Sequence, residues 1–359
     1  MIITQRGGDV VGSGAYGCVF NPPIKCKNKT RKKKGISKVM LKNDALNETL
    51  NIGLIKEIVK KLPNYKRFFI LYDELCIPDQ FSKNNVKELN NNCDESIKYA
   101  YKKNEVLLAN YQPYGGKDLH THIGEHKNSS VALKEKFIKT ITKKVITLLK
   151  DGLIPLHKKN IYHLDLKPSN LVWNNKHIKV IDWGFAIIND ETHIHESHDQ
   201  FFFSYPYENI LFNIPNGTPA HILDKHIKKT INESKNTIFE YPIAFDILIF
   251  EYEDFYSELE KTSEKHMNKT VKNWLYSYIN SIARECLVNG KFDRDYFLTH
   301  FYRKHDYWGL LYLYVEVLRI YLDLTPEFKK KIRNLLLCLV SGLNINVKDV
   351  QKKLNDIIL

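Results

Sequence analysis

The chain has 359 residues, a formal net charge of +13 at pH 7, and 43% hydrophobic and 12% aromatic residues. That share of apolar side chains excludes a disordered chain, and the length is enough to bury a large core arranged in two lobes. The longest strongly apolar stretch near the C-terminus, Leu335 to Val340, is far too short to cross a bilayer, so no transmembrane segment is expected.

Met1 to Arg6 turns polar and charged too soon for a signal peptide. The first informative element is Val11-Gly12-Ser13-Gly14-Ala15-Tyr16-Gly17-Cys18-Val19-Phe20. Glycines at this spacing let a backbone approach phosphates closely, and by itself the pattern also fits a dinucleotide-binding loop. A dinucleotide loop runs on into a helix, whereas β-favouring Cys18, Val19 and Phe20 follow here and Asn21-Pro22-Pro23 ends the segment. A hairpin folded over phosphates is expected, with Tyr16 at its tip shielding the site from water. The run Lys25 to Lys34 carries seven positive charges and falls in a turn. It reads as a solvated loop, the alternative being a docking site for an acidic partner, nucleic acid or an anionic membrane. No interleaved aromatics support a dedicated nucleic-acid platform, so nucleic-acid binding is not required.

Gly35 to Met40 reads as a strand carrying Lys38, and a helix starting near Ala45 bears Glu48 beside an apolar stripe of Ile52, Ile55 and Val59. A long amphipathic helix is expected from Lys134 to Asp151. It leads to His163-Leu164-Asp165-Leu166-Lys167-Pro168-Ser169-Asn170, and the apolar Ile178 to Ile181 then reads as a buried strand fixing Asp182 ahead of Trp183 and Gly184. The spacing suits phosphoryl transfer. Asp165 would accept the hydrogen bond of an attacking hydroxyl, and Lys167 would neutralise charge on the transferring group. Asn170 and Asp182 supply the hard oxygen ligands that magnesium prefers. Further on, Ile243 to Leu259 and Thr270 to Leu287 show helical periodicity, and Thr325-Pro326-Glu327 opens the helix expected to hold Leu335 to Val340.

Asp165, Lys167, Asn170 and Asp182 in this order resemble the catalytic and metal-binding loops of protein kinases, H-R-D-x-K-x-x-N and D-F-G. The resemblance implies an α+β, bilobal fold: a small β-rich N-lobe over residues 1–110 and a larger helical C-lobe over 111–359, with a helical insertion at about 212–300. It implies a serine/threonine-protein kinase that uses ATP with magnesium, or manganese, and takes protein substrates carrying Ser or Thr. The nucleotide would meet Gly12, Ser13, Gly14, Ala15, Tyr16, Gly17, Val19, Lys38 and Glu48. Lys38 would serve the α- and β-phosphates, with Lys42 as rival, and Glu48 would pair with it, with Glu57 as runner-up. Tyr111 to Pro113 resembles the hinge that meets the adenine, Phe203-Ser204-Tyr205-Pro206-Tyr207-Glu208 the A-P-E end of the activation segment, and Asp306 the aspartate that braces the catalytic loop. Gly-Ser-Gly-Ala-Tyr-Gly-Cys-Val-Phe-Asn-Pro-Pro and Ile-Ser-Lys-Val-Met-Leu-Lys are most similar to divergent kinases of large cytoplasmic DNA viruses, which would place the protein in host cytoplasm and in the virion.

Leu164 replaces the usual arginine and Trp183 the usual phenylalanine, the first of which argues against switching by loop phosphorylation. A small-molecule kinase of the aminoglycoside or choline type shares an HxD…IDW arrangement, and a nucleotide-binding pseudokinase scaffold is the third reading. The six cysteines (Cys18, Cys26, Cys76, Cys93, Cys286 and Cys338) form no CxxC pair and suit a reducing, cytoplasmic setting with free thiols. His193, His195, His198 and Glu196 lack a second ligand cluster and are not expected to bind metal.

Overall fold

The computed structural model of the chain describes residues 8–14, 17–27, 34–72, 74–189, 206–233 and 269–359. It forms two compact units, residues 1–116 with 172–186 and residues 117–171 with 187–359. After building part of the second unit, the chain returns to the first for the stretch that carries Asp182.

The first unit is built on an antiparallel sheet in the order β1-β2-β3-β5-β4. Its strands are β1 (Asp9–Gly14), β2 (Gly17–Asn21), β3 (Ile36–Leu41), β4 (Leu75–Cys76) and β5 (Leu107–Gln112). Period-two alternation sorts their residues onto two faces. On one, Val19, Lys38 and Asn110 stand opposite one another across β2, β3 and β5, and Met40 and Leu108 pack with Ala45 of helix α1 (Lys42–Val59). On the other, Cys18, Phe20, Val39 and Ala109 share a core with Leu89, Ile97 and Ala100 of helices α2 (Lys83–Asn92) and α3 (Glu95–Lys102). A capping box opens α2, with the Ser82 side chain accepting from Asn85 N and the Asn85 side chain from Ser82 N.

The cysteines correct the sequence expectation. Cys18 is bonded to Cys93, the residue that closes α2, and Cys26 to Cys76, with Cα separations of 5.5 and 5.8 Å. Alternation along β2 turns Cys18 toward α2, and backbone pairing of Lys25–Lys27 with Ile77–Asp79 brings Cys26 beside β4. Only Cys286 and Cys338 are free. Of the basic run, residues 28–33 lie outside the described residues, and Lys25 pairs with Asp79 at 2.9 Å on the surface.

The second unit is helical. Its longer helices among the described residues are α4 (Val131–Leu148), α5 (Ala220–Glu233), α6 (Lys269–Glu285), α7 (Arg294–Ile320), α8 (Pro326–Leu336) and α9 (Val347–Ile358). The helix expected to reach Asp151 changes to a π-turn at Leu149–Leu153. Helix α7 is buried on nearly every side from Phe297 to Leu318, as a central helix must be. Thr325 caps α8, accepting from Phe328 N, with Pro326 in the first turn. The periodicity of Thr270 to Leu287 is realised as α6, whereas Ile243 to Leu259 lies outside the described residues. A small β-rich part followed by a larger helical one is the α+β, kinase-like fold that the motifs imply. No helix among the described residues is long and apolar enough to cross a membrane.

Candidate active site

In the first unit, Lys38 on β3 is the hub. Its Nζ stands 3.0 Å from Glu48 Oε2 and 2.9 Å from Asp182 Oδ1. Lys38 and Glu48 are buried, Asp182 half-buried. Burial pulls the Lys38 ammonium down, but the carboxylates of Asp182 and Glu48 outweigh it, so its pKa lies above the ordinary lysine value and the group stays charged. Lys42 is exposed at the start of α1, and Glu57 faces Lys60 at 3.5 Å, so neither rival joins this cluster.

Asp182 holds a left-handed backbone, φ 62°, directly before Trp183. The indole locks that turn: it is buried, its Nε1 donates to Ile70 O at 3.0 Å, and its ring meets Phe69 edge-on at 5.4 Å. The same Ile70 donates its backbone N–H to Val180 O at 3.0 Å, so the strand before Asp182 is tied to the same segment.

The glycine motif forms the expected hairpin, with Gly12 opposite Val19, Ser13 opposite Cys18 and Gly14 opposite Gly17. Ala15 and Tyr16, at its tip, lie outside the described residues. The glycines differ in what they permit. A Cβ at Gly14 would meet nothing within 4 Å, whereas one at Gly17 would stand 2.9 Å from Val39 O. Gly17 is required by the approach of β2 to β3, a Cβ at Gly12 would touch the Val19 side chain at 3.8 Å, and the open space lies over Gly14.

In the second unit, the loop that carries Asp165 hangs from helix α7. The buried Asp306 carboxylate accepts from Leu164 N at 2.8 Å, from His163 N at 2.9 Å and from His157 Nε2 at 2.9 Å. Burial would raise its pKa, but the His157 hydrogen bond, the two histidine rings and the His163 N–H bring it below the ordinary carboxylate value. Leu164 is left-handed, φ 57°, and a Cβ on Gly309 would stand 2.0 Å from Leu166 O, so α7 lies directly against the loop backbone.

The loop presents three side chains together. Lys167 Nζ is 2.9 Å from Asp165 Oδ1, and Asn170 Nδ2 donates to both Asp165 O and Asp165 Oδ2 at 2.8 Å. One carboxylate oxygen of Asp165 thus faces a cation and the other an amide, which fixes its direction. With Asn170 Nδ2 turned to Asp165, the amide oxygen is left to act as an acceptor. Asn170 in the second unit and Asp182 in the first each offer hard oxygen, a donor type that suits magnesium or manganese and not a soft-ligand metal. His157, the third partner of Asp306, carries no sequence signal of that role, since its spacing from Asp306 is set only by the tertiary fold. Pro206, Tyr207 and Glu208 are described, whereas Phe203 to Tyr205 and the histidines 193, 195 and 198 with Glu196 lie outside the described residues.

The two units therefore divide the motif residues: Lys38, Glu48 and Asp182 form one cluster, and Asp165, Lys167 and Asn170 the other. A family model described as Protein kinase domain matches residues 6–209, a stretch that contains both clusters and more than half of the chain. On that match, with the fold and both clusters in place, the chain belongs to the protein kinase domain family.

Proposed function

We propose that this kinase is an active serine/threonine-protein kinase that moves the γ-phosphate of ATP to protein hydroxyls with Asp165 as base. The observation that carries the reading is the fixed Asp165 carboxylate, held by Lys167 and Asn170 on a loop suspended from Asp306. Such a carboxylate orients a hydroxyl for in-line attack. A bond forms from the hydroxyl oxygen to the γ-phosphorus, the bond to the β,γ-bridging oxygen breaks, and the hydroxyl proton passes to Asp165. Lys167 offsets charge on the transferring group. Asn170 and Asp182 would hold magnesium through oxygen, which supplies charge neutralisation on the phosphates. Lys38, kept cationic and aimed by Glu48, suits the α- and β-phosphates, and the open space at Gly14, in the hairpin of Gly12, Ser13 and Gly14, suits the backbone approach. Tyr111 and Gln112 close β5 before Pro113, as a base-binding hinge would.

The Lys167-Pro168-Ser169-Asn170 form supports serine/threonine acceptors, and the motifs quoted above support a likeness to kinases of large cytoplasmic DNA viruses. The basic run Lys25 to Lys34 supports docking of an acidic partner. A cytoplasmic location is compatible with the two disulfides only where an oxidant acts in that compartment. Val180-Ile181-Asp182-Trp183 keeps a small-molecule kinase as the second reading.

The test is transfer of labelled γ-phosphate with magnesium to generic proteins and to the kinase itself, wild type beside Asp165→Asn, followed by phosphoamino-acid analysis. Phosphoserine or phosphothreonine made by wild type alone is the expected result. Transfer by Asp165→Asn at the wild-type rate removes the base assignment. Nucleotide binding with no transfer to any protein favours a small-molecule acceptor or a pseudokinase.

A further inference from the structure

Helix α6 lies beyond the stretch matched by the kinase model, in the insertion between Glu208 and Asp306. It is more than padding for the helical unit, because it contributes to a buried polar cluster. The Glu208 carboxylate and the Lys304 ammonium are both fully buried, with Nζ 2.5 Å from Oε1. Tyr278 of α6 completes a ring with them: Lys304 Nζ donates to the Tyr278 hydroxyl at 2.5 Å, and that hydroxyl donates to Glu208 Oε2 at 3.2 Å. Lys304 also donates to Gly342 O at 2.6 Å. Three separate elements thus meet in one network: the short turn Tyr207–Leu211, helix α6 and helix α7.

Aromatic rings close over it. Trp274 of α6 stacks on Tyr278 at 5.3 Å and 5°, and Tyr207 sits edge-on to Trp274 at 6.1 Å and to Trp308 at 5.1 Å. Burial, and next the charge of Glu208, push the Tyr278 phenol well above its ordinary pKa, so it remains a donor. Burying an ion pair is expensive unless its remaining bonds are met, and apolar residues of similar volume would fill the same space at less expense. A network of this kind earns its place by specifying one arrangement of the elements that meet there.

The arrangement has a functional reference point. Lys304 lies two residues before Asp306 on α7, and Asp306 holds the backbone of the catalytic loop. The turn that follows Pro206 and the loop carrying Asp165 are therefore gauged against the same rigid helix. Leu164 is uncharged at the position where the motif it resembles carries an arginine, so it cannot receive a phosphate group.

We infer that Tyr278 is a positioning residue of the kinase: from the insertion it fixes Glu208 together with Lys304, and so holds the chain entering at Pro206 in place for a protein substrate without added phosphate. This rests on the reading above that the acceptor is a protein hydroxyl.

The test uses the full chain, treated with phosphatase and freed of it, as wild type, Tyr278→Phe and Glu208→Gln. Tyr278→Phe deletes one oxygen and keeps the stacked ring. Steady-state kinetics are measured with casein and with ATP varied in turn, and hydrogen exchange is followed along the backbone. For Tyr278→Phe the KM for casein should rise about fivefold, the worth of one such hydrogen bond. Its kcat and its KM for ATP should stay within about twofold of wild type. Exchange should quicken at residues 206–211 and stay unchanged at 36–41. Glu208→Gln should show the same pattern more strongly, and phosphatase should leave wild type fully active. An unchanged KM for casein, equal rises in both KM values, or loss of wild-type activity on dephosphorylation overturns the inference. Should wild type phosphorylate no protein, the acceptor reading fails, and unchanged exchange at 206–211 in Tyr278→Phe would then separately overturn the positioning role.

Discussion

Leu164 and Asp182 each occupy the left-handed region, an arrangement that costs of order 1 kcal/mol for a residue with a side chain. Both lie at the centre of a motif, and each has its own restraint. Trp183 pins the turn at Asp182 through Ile70, and Asp306 pins the turn at Leu164 by accepting two consecutive backbone N–H groups. Replacing Asp306 by Asn removes one acceptor and turns an amide donor into a site built of donors. A loss of about 3 kcal/mol in stability is expected, the penalty for breaking a buried charged network. The pH dependence identifies the group. Because the folded-state pKa of Asp306 is depressed, its stabilisation is present above the unfolded carboxylate value, about 4, and is lost as pH falls through the folded value. Denaturant titrations of wild type and Asp306→Asn should therefore differ by a constant amount from about pH 5 upward and converge in acid. A gap that stays constant into acid would mean that the Asp306 carboxylate is not the group responsible.

At the level of elements, what was legible follows from how local each signal is. The hairpin of β1 and β2 could be read because its glycines and β-favouring residues are contiguous, and α6 because its apolar residues recur at helical spacing. Helix α2 gave no such signal. The residues of α2, Lys-Asn-Asn-Val-Lys-Glu-Leu-Asn-Asn-Asn, offer only Val86 and Leu89 as apolar contacts, and a capping box and a disulfide do the rest. Cysteine pairing was illegible for a related reason: bonds that span 75 and 50 residues leave no spacing pattern, and partners are chosen by the sheet face and by a loop crossing. These bonds carry a stability prediction. Cross-linking Cys18 to Cys93 restricts a long loop in the unfolded chain, worth about 4 kcal/mol in the chain-entropy account. Cys18→Ser with Cys93→Ser should lower the unfolding midpoint of the first unit under oxidising conditions and leave it insensitive to dithiothreitol at that site. Equal midpoints for wild type with and without reductant would show that the bonds do not stabilise the unit.

At the scale of the whole molecule, chain order and spatial order part company, and this limits what a linear reading can deliver. Asp182 follows Asp165 by a short stretch of sequence, yet it belongs to the compact unit of Lys38 and Glu48, whereas Asp165 belongs to the helical one. The motifs named the candidate residues, and the fold supplied their neighbours: Asp182 beside Lys38, Asn170 beside Asp165, Lys304 beside Glu208. Under the proposed roles, this division separates two kinds of variant in a ligand-linked measurement. A ligand that binds only the folded chain raises its stability by about 2.7 kcal/mol at a hundred times its dissociation constant, which for a chain of this size moves the midpoint by several degrees. Magnesium with ATP should raise the midpoint of wild type more than ATP with a chelator does. Asp182→Asn should show the same small shift in both conditions, because the strong oxygen ligand is gone, and Asp165→Asn should keep the full metal-dependent shift while losing transfer. A metal-dependent shift that survives Asp182→Asn would move the metal to other ligands, and its loss in Asp165→Asn would mean that Asp165 serves binding and not only proton acceptance.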